Sequence, residues 1–161
     1  MYPRCSRCDL YHSPNAPCPI ECLSLYAKWL HVSGFRTSHS LYVDWKTLNP
    51  CGTINVVESI ANALKLYQAG FTQTAGLFGN KLSAGQSAIL EKMNVRYINW
   101  IIDNDGNNAG LHGALRAQEK YEDTLKFRII VPPIEYGDVA EMPSDKLKMF
   151  LYMKGIKEQS S

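Results

Sequence analysis

No apolar run in this 161-residue sequence approaches the roughly 20 residues that a membrane-crossing helix needs, so no bilayer-spanning segment is expected. The opening residues Met1-Tyr2-Pro3-Arg4-Cys5 contain no hydrophobic stretch of the secretion-signal kind, and the expectation is a soluble, cytoplasmic protein. Net charge is also scarce. A balance of +2 neither demands nor excludes a nucleic-acid partner, because a basic face can coexist with an acidic site. There is no internal repeat and no low-complexity segment. At 45% hydrophobic and 20% charged, the chain can bury an ordinary core, which suits one compact domain with a small appendage. Cysteines number five, and in a reducing compartment they are better metal or core candidates than disulfides.

The cysteines and the hydrophobic pattern divide the chain. Residues 1–24 are rich in Cys and Pro and lack a sustained period of two or 3.6. Residues 25–52 form a connecting segment with scattered aromatics (Tyr26, Trp29, Phe35, Tyr42, Trp45). Within it, Leu41 to Trp45 reads as a short strand, Asn49-Pro50-Cys51-Gly52 as a turn, and Cys51 as a core or turn thiol. From residue 53 to 153 the pattern is regular. Strands are expected at Thr53–Val57, Thr72–Phe78, Val95–Ile102 and Lys126–Val131, the last halted by Pro132-Pro133. Helices are expected from Ser59 to Gln68 (ended by Ala69-Gly70), from Ser83 to Met93, from Asn108 to Tyr121 and from Ser144 to Met153. Residues 154–161 read as a flexible tail. Strands alternating with helices of this length indicate an α/β fold with a mostly parallel four-stranded sheet flanked by helices.

In such sheets the site lies beyond the carboxyl ends of the strands. Glu58 ends the first strand, the Gly79 turn follows the second, Asp103 and Asp105 end the third, and Asp138 follows the fourth. By itself, Asp103-Asn104-Asp105-Gly106-Asn107-Asn108 is turn chemistry. It fails the calcium-loop pattern, which needs Gly where Asn108 stands and Glu where Ala114 stands. In an extended stretch Asp103 and Asp105 point to the same side, as a hard oxygen-binding pair for magnesium or manganese.

Four blocks in order resemble the Toprim domain of DnaG-type primases, topoisomerases and some small nucleases, over residues 53 to 147. They are Val56-Val57-Glu58-Ser59-Ile60-Ala61-Asn62-Ala63-Leu64, Leu77-Phe78-Gly79-Asn80-Lys81-Leu82-Ser83, Asp103-Asn104-Asp105 with Ala109-Gly110, and Gly137-Asp138-Val139-Ala140-Glu141-Met142. The resemblance implies a Rossmann-like fold with a magnesium site. Glu58 becomes general acid/base and metal neighbour, Asp103 and Asp105 the main metal ligands, and Asp138 a contributor to a second ion. Gly79, Asn80 and Lys81 line that site, with Lys81 meeting a phosphate. The chain departs from the family pattern at Ser59 (usually Gly), at Asn62 (often Asp) and in a loop two residues longer between Asp105 and Ala109.

Cys5, Cys8, Cys18 and Cys22 have the spacing of a compact structural zinc ribbon, with His12 as an alternative ligand. His31, His39 and His112 read as ordinary packing or surface residues. A zinc module ahead of a Toprim part resembles the order of phage- or plasmid-type primases. That order implies RNA primer synthesis from ribonucleotides on a single-stranded DNA template, with a replicative helicase as a further partner. A Toprim nuclease cutting RNA or DNA is the first alternative, and a catalytically weak nucleic-acid-binding replication adaptor the second. The length of the chain favours the first, and Asn62 with the scarcity of basic residues in the connecting segment (Lys28, Arg36, Lys46) motivates the second.

Overall fold

Among the residues that this computed structural model describes there are four strands, β1 (Thr53–Val57), β2 (Thr74–Gly76), β3 (Tyr97–Ile101) and β4 (Lys126–Ile130), and β1, β3 and β4 are rich in β-branched and aromatic residues. All pair in parallel, in the order β2-β1-β3-β4. Among the described residues four α-helices connect or follow them: α1 (Ile60–Gln68), α2 (Ala84–Lys92), α3 (Ala109–Tyr121) and α4 (Ser144–Met153). The structure describes residues 33–48, 52–104, 106 and 108–158, and those from Arg36 onward form one compact unit. Among the described residues no helix is long and apolar enough to cross a membrane.

The sheet is covered on both faces, which is why its strands are nearly continuous hydrophobic runs. Ile54, Val56, Ile98 and Trp100 pack with Leu90 of α2 and with Ala114 and Ala117 of α3. The alternate residues Val57, Ile101 and Ile130 pack with Ala63 and Leu66 of α1 and with Leu147, Phe150 and Leu151 of α4. Val57, Ile101 and Ile130 share one register level, so β1, β3 and β4 end together.

Local chemistry sets the helix ends. The Ser59 hydroxyl accepts from Asn62 N–H at 3.1 Å and caps α1, and Gly70 leaves it at φ +91°. Ser83 and Gln86 form a reciprocal capping box on α2. The Gln86 side chain is buried and reaches further, donating to Leu77 O at 2.8 Å and to Thr37 O and Ser40 O at 3.0 Å. The segment ahead of the sheet is thereby tied to α2.

The structure differs from the sequence expectation in three places. The second strand is confined to Thr74–Gly76, because Thr74 bonds back to Phe71 O and Thr72 O and Phe78 turns at φ +64°. Leu41 to Trp45 makes only a single antiparallel bridge, Tyr42 to Gly76. Beyond Tyr42, Asp44 N–H bonds to the Tyr67 hydroxyl and the chain folds into a turn through Leu48 N–H to Asp44 O. Within residues 154–161, read as a flexible tail, Ile156 is buried and Glu158 pairs with Lys148 at 2.9 Å. The expected zinc ligands Cys5, Cys8, Cys18 and Cys22 lie outside the described residues, as do His12, His31, Cys51 and Asp105.

Tyr67 holds the Asp44 turn to the sheet: its hydroxyl donates to Thr74 O at 2.7 Å and accepts from Asp44 N–H at 3.0 Å. Burial pushes its pKa up to about 12 from 10.0, against the smaller opposing effect of the Asp44 bond. A raised pKa in the folded state contributes stability that is full below pH 10.0 and lost as pH rises through about 12. The stability of wild-type protein, followed by urea unfolding, should therefore fall more steeply across that window than that of Tyr67→Phe. At neutral pH the variant should be less stable by about 1 kcal/mol.

Candidate active site

The carboxyl edge of the sheet is where the acidic residues meet. Val57 and Ile101 are paired in register, which leaves Glu58 beside Ile102 and Asp103 one residue beyond. The Glu58 carboxylate closes that step, its Oε1 accepting from Asp103 N–H at 3.1 Å. The Glu58 carbonyl accepts from Gly79 N–H at 2.8 Å, so the turn after β2 is fixed to the end of β1.

Asp103 is oriented from the other side by Asn62, whose Nδ2 donates to Asp103 Oδ1 at 2.8 Å. Asn62 is fully buried, and its Oδ1 has no hydrogen-bond partner among the described residues. Its backbone N–H is the group capped by Ser59. Ser59 and Asn62, two of the three departures from the Toprim pattern, are thus joined by one cap, and Asn62 aims Asp103.

Two glycines one helical turn apart let α3 lie on this edge. A Cβ at Gly110 would sit 2.1 Å from Glu58 Oε1, and one at Gly113 only 1.7 Å from Asn80 O. Neither position can carry a larger side chain while Glu58 and Asn80 stay where they are. Gly110 belongs to a recognisable sequence block. The need for Gly113 carries no sequence signal, because it follows from contact with a residue 33 positions away.

The loop after β4 is drawn to the same edge. Asn104 donates through N–H to Gly137 O at 2.5 Å and through Nδ2 to Pro132 O at 2.8 Å. The Asp138 carboxylate in that loop caps its own turn, Oδ1 accepting from Ala140 N–H at 2.8 Å and Glu141 N–H at 3.1 Å. Lys81 is exposed and lines a cavity of about 300 Å3 with Leu82, Gly113, Arg116, Ala117 and Lys120, a lining that includes neither Glu58 nor Asp103. His39 and His112 are on the surface.

Among the described residues no three His, Cys, Asp or Glu side chains cluster as a metal site, and Asp105 lies outside them. The donor chemistry still suits magnesium. Two carboxylates sit on adjacent strand ends, held by backbone and amide donors, and magnesium is commonly bound through one or two carboxylates with water and phosphate completing its shell.

No protein-family model matches the chain, and no curated protein matches it. Solved structures do. A DNA primase domain from Pseudomonas aeruginosa superposes with a TM-score of 0.61 at 21% identity, covering 76% of this chain and 40% of that one. The RNA polymerase domain of Mycobacterium tuberculosis primase DnaG gives 0.60 at 16% identity over 73% of this chain and 42% of that one. A DnaG primase catalytic domain bound to ssDNA gives 0.57 at 18% identity over 74% and 40%. The chain therefore shares a fold with part of these primase domains and spans less than half the length of their chains.

The contact between Gly110 and Glu58 can be measured. Gly110→Ala should destabilise the protein by about 1–3 kcal/mol through overpacking, read from urea unfolding. In a Glu58→Ala background the same change should cost much less, a coupling of roughly 1 kcal/mol or more. Equal costs in both backgrounds would show that the glycine is not needed to accommodate the carboxylate.

Proposed function

We propose that this chain is a primase-like nucleotidyltransferase that builds RNA primers on single-stranded DNA with a magnesium-dependent Toprim site. The observation that carries the reading is the Glu58–Asp103 contact at the carboxyl edge of a sheet with the DnaG fold. One structural neighbour is a DnaG catalytic domain bound to ssDNA and another a DnaG domain in complex with double-stranded DNA, which supports a nucleic-acid partner here.

In this reading Glu58, Asp103 and Asp105 hold magnesium, with Asp138 near a second ion. Magnesium, when bound, would neutralise charge on the phosphoryl oxygens of the reacting nucleotide. The protein supplies position. Asn62 fixes the direction of the Asp103 carboxylate, and Asp103 N–H fixes Glu58. Glu58 is the group placed to take the proton from an attacking 3′ hydroxyl as it bonds to the α-phosphorus of the next ribonucleotide and pyrophosphate leaves. Structural zinc on Cys5, Cys8, Cys18 and Cys22 belongs to the same proposal. It has a parallel in the Aquifex aeolicus primase structure that comprises zinc-binding and RNA polymerase domains, similar at 18% identity with a TM-score of 0.58 over 74% of this chain and 30% of that one.

The test is the product made from labelled ribonucleotides on a single-stranded template with magnesium. Short RNA products are expected. Strand fragments instead would favour the nuclease reading, and binding with neither product the adaptor reading. The double variant Asp103→Asn, Asp105→Asn should lose activity by about 100-fold or more with its circular dichroism unchanged. Undiminished turnover in it would overturn the site.

A further inference from the structure

The cavity beside α3 has an unusual charge distribution. Its polar side chains are Lys81, Arg116 and Lys120, its remaining lining residues Leu82, Gly113 and Ala117 are apolar, and no carboxylate lines it among the described residues. Arg116 and Lys120 are four apart on one helix and share a face, where like charges destabilise a helix by a few tenths of a kcal/mol. Among the described residues none forms an ion pair with any of the three cations. Lys120 Nζ lies 5.1 Å from the Tyr121 ring centroid, which attracts the cation without cancelling its charge. Three cationic side chains line one space of about 300 Å3, and an anion entering it would offset their mutual repulsion.

The place of the cavity says which anion. Along α3, Gly110 rests on Glu58, Gly113 on Asn80, and Arg116 and Lys120 follow. At about 1.5 Å per residue they stand roughly 9 and 15 Å along the helix from the acidic edge. Phosphates recur about every 3.4 Å along one strand of a duplex, so these distances correspond to several nucleotides, not to one. A guanidinium fork and an ammonium about 6 Å apart along the helix can each meet a backbone phosphate of the same strand.

We propose that the Lys81–Arg116–Lys120 cavity is a backbone-phosphate site that holds a single strand a few nucleotides from the Glu58–Asp103 edge. The proposal rests on the functional reading above and adds cationic contacts for the strand to the three basic residues of the connecting segment.

The test uses the full chain, a fluorescein-labelled single-stranded DNA of about 12 nucleotides and anisotropy titrations over a salt series. Arg116→Gln with Lys120→Gln, both exposed positions, should weaken binding about tenfold or more for any base sequence. Loss of two phosphate contacts should lower the slope of log affinity against log salt by about 1.4. Lys146→Gln with Lys154→Gln on and just after α4 removes the same charge elsewhere and should leave that slope unchanged. Equal losses in the two double variants would overturn the proposal, as would an unchanged affinity in the first. So would a variant that keeps the strand and loses only ATP or inorganic phosphate, since the cavity would then serve a free phosphate compound. Manganese titration of the same proteins keeps the two readings apart. If wild type binds no manganese and makes no product while the Arg116/Lys120 variant still loses the strand, the catalytic reading fails and the strand site stands.

Discussion

The bond from Asp103 N–H to the Glu58 carboxylate is the constraint around which the rest of this edge is arranged. It joins the ends of two strands that are neighbours in the sheet and 45 residues apart in the chain. A carboxylate accepting from a backbone N–H is held more strongly than a neutral pair would be. It can be held there only because β1 and β3 end at the same register level and because α3 presents a bare backbone at Gly110. If the register slipped by one residue, every side chain at these strand ends would face the opposite side of the sheet.

Much of this architecture is legible in the sequence, for a physical reason. A parallel sheet covered on both faces favours predominantly hydrophobic strands, and Thr53–Val57, Tyr97–Ile101 and Lys126–Ile130 stand out as short β-branched and aromatic runs broken only by Asn55, Asn99, Lys126 and Arg128. The signals that set the caps, Ser59, Ser83 and Gly70, are local and act within one turn. What was not legible depends on partners distant in sequence. Gln86 looks like a capping-box residue, yet its amide gathers carbonyls from Thr37, Ser40 and Leu77. Tyr42 belongs to an apparent strand that makes one bridge, since its continuation is claimed by the Tyr67 hydroxyl. Lys81 sits in the glycine-turn block of the acidic site, while the structure places it around a cavity with Arg116 and Lys120.

Ser59 and Asn62 show how two departures from a family pattern can be one adjustment. An aspartate at position 62 would set one carboxylate against another. The amide of Asn62 instead donates to Asp103 Oδ1. That arrangement has a cost, because Asn62 Oδ1 is buried without a partner among the described residues, a loss of about 1–3 kcal/mol for a group of this kind. Ser59 offsets part of it by capping the Asn62 N–H, which a glycine could not do with a side chain. The result is an edge with one fewer negative charge and a fixed direction for the charge that remains.

Helix α3 then divides the chemistry of this face between its beginning and its body. Its first turn meets Glu58 at Gly110, and the helix dipole gives that end a positive partial charge that favours carboxylates. The chain enters the helix through Asn108 at φ +58°, and the facing turn passes through Phe78 at φ +64°. Both are left-handed conformations that ordinary residues adopt at a cost, and they flank the two glycine contacts. Further along, the same helix carries Arg116 and Lys120 over an apolar floor. Negative charge is thus concentrated where a metal and a reacting phosphate would be held, and positive charge where an anion such as a backbone phosphate would compensate it. A polyanionic strand laid along α3 would satisfy the two ends by different means, through metal at one and direct contact at the other, and a neutral ligand would satisfy neither.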